Sequence, residues 1–492
     1  MNTVSPERAG IKSCQIKRFI DLINKRGLHM HSMLMMRGND IFYEGYWAPY
    51  NKDSIQRMYS VTKSFVSCAI GLCCDDGLIN LDDKIVDYFR DKIDTPLDEN
   101  LKNQTIRQML TMTTARPVCS WFSENDPDRT HLYLNHYKKR RPSGTVWEYD
   151  SAGSQVLSSL VERVTKKSLL DFLKERIFSH LGTFENAKIL KTPNGDSWGD
   201  SALICTLRDL ASFGRFVMNY GVHNGKRLLS EEYLKKATTK QVDNTEDGHR
   251  AIFHLGYGYQ FWITEEGGFA LVGMGDQLCV CIPKYDFIFC CTADNQGNER
   301  SREYLITSLF DNIIDNLSDT PLDENEMELK KLKELTSNLE LYRVTGQADS
   351  ELRAELNDRV YLCDENPMNI SEFSFHFDDK DSGYLSYTKD GNKLKLDFCV
   401  NKNRFGYFPE LGYSKDVGKV ATTNGHKYKD AVSMAWLQDN KIMIFAQIID
   451  EYLGNTSLIF GFNGDKATLM AKKAAEYFLF GYEGLAIAKR KM

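Results

Sequence analysis

Apolar and polar positions change period along this chain, and the order of the two periods predicts its architecture. Apolar residues three and four positions apart are typical of amphipathic helices, whereas alternating or short continuous apolar runs are typical of strands. The segments with a helical spacing are 11–25, 60–76, 152–164, 169–181, 204–220 and 301–317. The segments that indicate strands are 31–36, 41–47, 256–263, 269–273, 278–283 and 287–293.

The order of these segments is one helix, two strands, a mostly helical stretch at about 60–245, several short strands and a closing helix. Arg37-Gly38-Asn39-Asp40 joins the first two strands as a hairpin turn, and the later strands are broken by Gly, Pro and Asp, as in an antiparallel meander. This order predicts an α+β fold in which helices flank one antiparallel sheet and a helical subdomain is inserted after the second strand.

A change in composition after residue 318 predicts a domain boundary. A polar, acidic stretch and a charged helix come first, and alternating apolar and polar positions with frequent turn signals follow. We therefore assign 1–318 to a first domain, 319–340 to a linker and helix, and 341–492 to a C-terminal β-rich domain, either a small barrel or a sandwich. A final helix is expected at about 466–479.

The composition excludes several classes of function. The 492 residues are 42% hydrophobic and 26% charged, with a net charge of -6 and no long basic run, so nothing indicates a nucleic-acid partner. No apolar run approaches the roughly 18 residues of a membrane span, and residues 1–7 lack the pattern of a signal peptide. The 12 cysteines form no Cys-x-x-Cys pair and many lie in apolar runs, which favours reduced core thiols in a cytoplasmic protein. We expect no metal and no cofactor.

One stretch, Tyr59-Ser60-Val61-Thr62-Lys63-Ser64, carries a Ser-x-x-Lys pattern directly before an apolar helix. Three positions apart on a helix, Ser60 and Lys63 share one face. A serine hydroxyl becomes a good nucleophile when an adjacent base removes its proton, and a partly desolvated lysine amine can be that base. The free N–H groups at the start of the helix suit an oxyanion. The alternative is a helix-capping serine beside a solvated lysine.

Two further stretches offer the other groups that a Ser/Lys site needs. Tyr149 stands in a loop before a helix, where a phenol can pass a proton between the nucleophile and the leaving group. Gly273 and Gly275 flank Met274 just before a predicted strand, and glycines let a substrate carbonyl approach a strand edge closely. An ordinary loop tyrosine and a simple hairpin turn are the alternatives.

Taken together, these stretches resemble the serine β-lactamase and penicillin-binding-protein-like hydrolases, a family with a Ser-x-x-Lys signature. The similarity is nearest to the branch that contains class C β-lactamases, esterases, D-aminopeptidases and 6-aminohexanoate-oligomer hydrolases. It covers about residues 5–317, and the matching stretches occur in the family's order. They are 5–10, Ser60 with Lys63, 76–83, 105–114, Tyr149, and 273–277 with Pro283.

This resemblance implies a β-lactamase-like fold and a division of roles among the candidate residues. Ser60 would be the acylated nucleophile and Lys63 its base. Tyr149 would protonate the leaving group and later help to activate water. The backbone N–H groups of Ser60 and of a residue near Met274 would form the oxyanion hole.

Three departures from the family pattern bear on the substrate. Ser151 stands where the tyrosine motif usually has Asn, Met112 stands where His is common, and no Lys-Thr-Gly occurs near Gly273. That lysine would be the cation that grips a β-lactam or peptide carboxylate. Its lack favours an esterase or amidase that acts on a small neutral or cationic acyl group.

The sequence leaves several alternatives open. The departures also fit a non-catalytic binding or sensor protein on the same fold, and a D-amino-acid peptidase or weak β-lactamase is a further option. Trp121, Tyr257, Tyr259 and Trp262 could line an aromatic pocket or could be core residues. The expected partner is a small ester or amide substrate, with no nucleic acid and no membrane, and a homodimer is an option.

Overall fold

The computed structural model describes residues 2–94, 96–115, 125–136, 140–244, 255–420, 425–474 and 481–491. Within these ranges, every helix is too short or too polar to span a membrane. The chain forms two compact units. The first consists of Met1–Asn295, Arg300–Glu340 and Ser414–Ala421, and the second of Gln296–Glu299, Leu341–Tyr413 and Thr422–Met492.

The helices and strands of the first unit are, in chain order, β1 Asn2–Thr3, α1 Ser13–Lys25, β2 Met30–Arg37, β3 Asp40–Tyr46, β4 Gln56–Arg57, α2 Thr62–Asp75, α3 Glu99–Lys102, α4 Ile106–Leu110, α5 Arg129–Asn135, α6 Ser151–Thr165, α7 Leu169–Leu173, α8 Ser179–Leu181, β5 Lys188–Ile189, β6 Leu203–Cys205, α9 Leu207–Met218, β7 Val222–His223, β8 Lys226–Arg227, α10 Glu231–Ala237, β9 Trp262–Ile263, β10 Phe269–Gly273, β11 Gln277–Ile282, β12 Phe287–Ala293, α11 Ser301–Asn312 and α12 Glu326–Ser337.

A seven-stranded sheet forms the centre of this unit, in the order β1-β3-β2-β12-β11-β10-β9. Neighbouring strands are antiparallel except β1 and β3, which are parallel. Strand β2, before the helical stretch, pairs directly with β12, after it. The predicted antiparallel sheet with a helical subdomain inserted after its first hairpin is therefore confirmed.

Helices cover both faces of the sheet, because successive residues of a strand point to opposite sides. On one face, Phe19 of α1 meets Phe289 of β12 with ring centroids 6.2 Å apart. On the other face, Gly214 of α9 lies so close to β11 that a Cβ would reach the Cys279 sulfur at 2.5 Å. The buried cysteines of β11 thus serve as small core side chains that let α9 approach the sheet.

The helix that follows Ser60, α2, is buried along nearly its whole length. Every residue from Thr62 to Cys73 is buried, and most of them are apolar or small, as is typical of a helix in a protein core. Its Phe65 stacks on Phe213 of α9 with ring centroids 3.6 Å apart, and α6 packs along it. This packing fixes the start of α2, which carries Lys63 and begins two residues after Ser60.

The helices and strands of the second unit are α13 Arg353–Leu356, β13 Val360–Cys363, β14 Ile370–Phe377, β15 Ser382–Lys389, β16 Asn392–Val400, β17 Arg404–Leu411, β18 Lys427–Gln438, β19 Lys441–Ile448, β20 Asn455–Asn463, β21 Lys466–Ala474 and β22 Tyr482–Arg490. The strands form one sheet in the order β16-β15-β14-β13-β22-β21-β20-β19-β18-β17, and a parallel pairing of β16 with β18 closes it into a barrel. The predicted C-terminal β-rich fold is therefore confirmed as a barrel.

The final helix predicted at about 466–479 is wrong. Lys466–Ala474 is a strand that pairs with both β20 and β22, and 475–480 lie outside the described residues. Its alternate residues Ala467, Leu469 and Ala471 are buried. Pairing on both sides and burial of one face therefore outweigh the helix propensity of this segment, which is rich in Ala and Lys.

Candidate active site

Ser60 lies in a strained turn between a short strand and a buried helix. Tyr59–Val61 forms a 3-10 turn after β4, so α2 begins two residues after the serine rather than at it. Tyr59 has a φ of 46°, in the left-handed region that residues other than glycine rarely occupy. The Thr62 hydroxyl donates to the Tyr59 carbonyl at 2.6 Å and accepts the Leu203 N–H at 3.1 Å. These contacts hold the turn and fix the position of the serine side chain.

The Lys63 amine is almost fully enclosed and makes three contacts. The residue is 1% exposed, and its Nζ donates to Ser60 Oγ at 3.0 Å and to the main-chain oxygen of Asp200 at 2.7 Å. It also lies 5.0 Å from the centroid of the Tyr149 ring. A buried amine needs such partners, and here one of them is the hydroxyl predicted to be the nucleophile.

Tyr149 belongs to an aromatic cluster beside this amine. Its ring stacks on Trp262, with centroids 5.8 Å apart and an interplanar angle of 24°. Trp147 and Tyr257 pack in the same cluster. Burial raises the pKa of the Tyr257 phenol, and the neighbouring Tyr149 raises it further, so Tyr257 stays neutral. Within this cluster, Tyr149 is the tyrosine whose ring lies against the Lys63 amine.

The loop before α6 holds Tyr149 in place. Asp150 caps α6, because its carboxylate accepts the Gly153 N–H at 3.0 Å and the Thr114 hydroxyl at 2.7 Å. The carbonyl of Met112, a residue with a φ of 55°, accepts the N–H of the residue before Tyr149 at 3.1 Å. Met112, which stands where the family often has His, therefore fixes the loop through its main chain.

The hairpin between β10 and β11 carries the candidate oxyanion residues. Gly273 pairs with Gln277, and the loop between them includes Gly275 and Asp276 with φ values of 74° and 71°. The buried Asp276 carboxylate accepts hydrogen bonds from the side chains of Ser301 at 2.6 Å, Asn295 at 3.0 Å and Arg302 at 3.0 Å. The loop that contains Met274 is therefore tied to the start of α11.

Gly273 lies against the turn that carries Ser60. A Cβ at this position would come within 2.4 Å of the Met58 carbonyl oxygen and 3.0 Å of the Gln277 Cβ. Backbone cannot give way as a flexible side chain can, so a larger residue requires the strand or the turn to move. The close approach brings the hairpin and the serine turn together, which is the juxtaposition that the predicted oxyanion hole needs.

We expect Gly273→Ala to lower both stability and reactivity. The added methyl group would push β10 away from the Met58 carbonyl, cost about 1–3 kcal/mol as overpacking does, and displace the backbone beside Ser60. The melting temperature and the rate of labelling by a fluorophosphonate measure the two effects.

Gly461→Ala is the matched control, because Gly461 is also a strand glycine and a Cβ there would meet nothing within 4 Å. It should leave both measurements close to those of the unchanged protein. If Gly273→Ala behaves like this control, the close approach does not constrain the site.

The structure brings Ser60 and Tyr149 to the Lys63 amine, and it places Gly273 beside the turn that carries Ser60. Ser151, the departure at the tyrosine motif, is the first residue of α6. Sequence reasoning missed Asp200, whose main-chain oxygen accepts the Lys63 amine. No sequence signal could have found it, because every residue presents a carbonyl and only the fold selects one.

The aromatic residues considered for a pocket divide into separate groups. Trp121 lies outside the described residues. Tyr257 and Tyr259 are each 1% exposed, and the Tyr259 hydroxyl accepts a hydrogen bond from Arg107 at 2.8 Å, so both are core residues. Trp262 is partly exposed beside Tyr149. Across the described part of the chain, no group of three His, Cys, Asp or Glu side chains is placed to hold a metal ion.

Comparison with known proteins extends this picture. A family model described as Beta-lactamase matches residues 17–310. The chain is 25% identical over 276 residues to the 6-aminohexanoate-dimer hydrolase of Paenarthrobacter ureafaciens, a match that covers 52% of this chain and 70% of that protein. It is 26% identical over 170 residues to the lovastatin esterase of Penicillium rubens, covering 30% of this chain and 42% of that protein.

Among solved structures, a candidate 6-aminohexanoate-dimer hydrolase from Bacillus anthracis superposes with a TM-score of 0.51 at 21% sequence identity. This match covers 61% of the present chain and 83% of the other, and at that identity it concerns the fold alone. The resemblance inferred from the sequence motifs is confirmed. Because the family match contains the helical insertion and the paired strands on either side of it, this chain belongs to the β-lactamase family.

Proposed function

We propose that this protein is a serine hydrolase that cleaves a small ester or amide through an acyl-enzyme on Ser60. The observation that carries the proposal is the 3.0 Å hydrogen bond between the enclosed Lys63 amine and the Ser60 hydroxyl. Such a pair is the arrangement in which a general base activates a nucleophile. Tyr149, whose ring centroid lies 5.0 Å from the same amine, carries the hydroxyl that we assign as a second proton carrier.

In the acylation half of the reaction, the neutral Lys63 amine takes the Ser60 proton while Oγ bonds to the acyl carbon. Backbone N–H groups of Ser60 and of a residue near Met274 would stabilise the oxyanion of the tetrahedral intermediate. Tyr149 gives its proton to the leaving oxygen or nitrogen as the bond to the acyl carbon breaks. The Lys63 ammonium then returns a proton to the phenolate.

In the deacylation half, the same two groups act in reverse. The Tyr149 hydroxyl takes a proton from a water molecule as it passes its own proton to the Lys63 amine. The oxygen of that water bonds to the acyl carbon. The bond from Ser60 Oγ to that carbon then breaks, and the serine recovers its proton from the Lys63 ammonium. The products are the free acid and an enzyme in its starting state.

The substrate class rests on the relatives and on one missing group. One relative is named as a hydrolase of a 6-aminohexanoate dimer and another as an esterase, which supports both amide and ester bonds. The hairpin has Gly273-Met274-Gly275 where the resembled family pattern has Lys-Thr-Gly, so it carries no lysine for a substrate carboxylate, and the nearby Arg302 is bound by Asp276. We therefore assign a small neutral or cationic acyl group.

Labelling with a fluorophosphonate tests the proposal. We expect one covalent adduct per chain, located by mass spectrometry of tryptic peptides. Cleavage after Arg57 and after Lys63 releases residues 58–63, which contain Ser60 as their one serine. The adduct mass should appear on this peptide, because the neighbouring amine makes this hydroxyl nucleophilic.

Ser60→Ala should abolish the adduct, and Ser64→Ala is its matched control. Ser64 lies in α2, four residues after Ser60, and its hydroxyl donates to the Gln260 carbonyl at 2.7 Å, so it serves packing rather than reaction. An unlabelled protein, or one labelled equally in Ser60→Ala, would favour a non-catalytic binding or sensor protein on the same fold.

A parallel panel of substrates separates the remaining options. Turnover of a chromogenic cephalosporin or of D-aminoacyl anilides in preference to p-nitrophenyl esters would indicate a weak β-lactamase or a D-amino-acid peptidase instead. The cytoplasmic location and the homodimer considered from the sequence stay predictions.

A further inference from the structure

A buried carboxyl group lies beside the candidate catalytic amine, and the mechanism above uses only its main-chain oxygen. Asp200 is 3% exposed, and in the described part of the chain its Oδ1 has no hydrogen-bond partner. Burial raises the pKa of this carboxyl overall, and the positive charges of Lys63, Arg129 and Arg57, with a hydrogen bond from the Trp198 side chain, offset only part of that rise. The carboxyl therefore lies within electrostatic reach of three cations, and one of its two oxygens has no hydrogen-bond partner in the described part of the chain.

The two arginines are held in place by aromatic rings. The guanidinium carbons of Arg57 and Arg129 lie 4.5 Å and 4.4 Å from the ring centroid of the buried Trp198. Arg57 also lies 4.7 Å from the ring of Tyr59, the residue before the nucleophile, and donates to the Ser201 carbonyl at 2.8 Å. Burial lowers the pKa of the Arg129 guanidinium, but arginine remains a cation in proteins.

These charges bear on the amine that must accept a proton. The groups that face Lys63 are Ser60 from its own turn, Tyr149 from the loop before α6, and Asp200 from the segment before β6. Two guanidiniums near the site would disfavour the ammonium that forms when the amine takes the serine proton, and one carboxylate offsets them.

We propose, on the basis of the function proposed above, that Asp200 is a positioning residue. Its charge opposes that of the two buried arginines beside the amine that must take the serine proton. This role belongs to the side chain and is separate from that of the main-chain oxygen, which any residue at this position would supply.

The test is the pH dependence of fluorophosphonate labelling at Ser60 in the full chain. Labelling should fall at low pH as the Lys63 amine becomes protonated, which gives the pH profile an acid limb. In Asp200→Asn a negative charge is lost, so the amine binds its proton less tightly and the acid limb moves to lower pH. In Arg129→Gln a positive charge is lost, so the acid limb moves to higher pH. Each shift should be about one pH unit or more, because a unit charge within about 12 Å contributes at least that much at an effective dielectric constant of about 20.

Asp209→Asn is the matched control. Asp209 is a buried aspartate that caps α9 and accepts the Phe184 N–H at 2.7 Å, so its loss should change the melting temperature without moving the acid limb. Opposite shifts in Asp200→Asn and Arg129→Gln support the proposal. An unmoved limb, or shifts in the same direction, overturns it, since a purely structural role gives no signed response to charge.

If Asp200→Asn fails to fold, the result for Arg129→Gln decides alone. A shift of its acid limb to higher pH supports the proposal, and any other result overturns it. The same experiment distinguishes a failure of this proposal from a failure of the proposed function. Labelling of Ser60 in the unchanged protein with unshifted variants removes only the role of Asp200. An unlabelled Ser60 removes both proposals.

Discussion

Replacing Lys63 by methionine is expected to lower kcat/KM on p-nitrophenyl esters by about 10⁴-fold. Methionine keeps an unbranched apolar stem of similar length, so the buried start of α2 can retain its packing. The variant loses the amine that contacts Ser60 Oγ at 3.0 Å, and the hydroxyl then keeps its proton. Steady-state kinetics measure the loss, and the melting temperature shows whether the fold is preserved.

Lys63→Arg serves as the control, because it retains a cation that cannot act as a base. If the amine works by accepting a proton, both variants are inactive. If Lys63 serves only as a positive charge beside the site, Lys63→Arg recovers a substantial part of the activity. Turnover by Lys63→Met within tenfold of the unchanged protein would rule out the amine as the general base.

The candidate site could be predicted where a side chain has its own chemistry. Ser60 and Lys63 follow from their spacing, since residues three positions apart are neighbours on one helix face. Tyr149 needed the order of family motifs, because a lone tyrosine carries no signal. The environment of these residues could not be predicted. Asp200 contacts the Lys63 amine through its main-chain oxygen, which every residue has. Arg129 lies in a helix 66 positions along the chain from Lys63, so only the fold brings these residues together.

The fold could be predicted where the periodicity has a single interpretation. The strands of the first unit are bounded by glycine and proline, and their order required an insertion between β3 and the later strands. The segment from Lys466 onward has no such clarity. Its residues favour a helix in isolation, and its strand form depends on partners, β20 and β22, that local sequence cannot reveal.

The same limit applies to Met112 and Tyr59, which adopt positive φ values although neither is glycine. Both residues border the site, one behind Tyr149 and the other directly before Ser60. Backbone strain of this kind persists when surrounding contacts impose it, and it is concentrated at functional sites. Residue type alone predicts an ordinary conformation at these positions, so sequence reasoning fails where the site is most constrained.

Tyr149→Phe is expected to lower kcat/KM by about 10²- to 10³-fold, the contribution typical of general acid–base catalysis. The substitution keeps the ring that stacks on Trp262 and lies 5.0 Å from the Lys63 amine, and it removes only the hydroxyl. The leaving group then departs without a proton. The defect should therefore be greatest for substrates with poor leaving groups, and comparison of p-nitrophenyl with alkyl esters measures it.

Tyr257→Phe is the matched control, since Tyr257 packs in the same aromatic cluster, is 1% exposed and has a phenol that burial keeps neutral. It should change turnover by no more than a few-fold and should show no dependence on the leaving group. A Tyr149→Phe variant with the same uniform behaviour would assign Tyr149 to packing. Lys63 would then have to carry every proton, because the described structure places no other phenol against its amine.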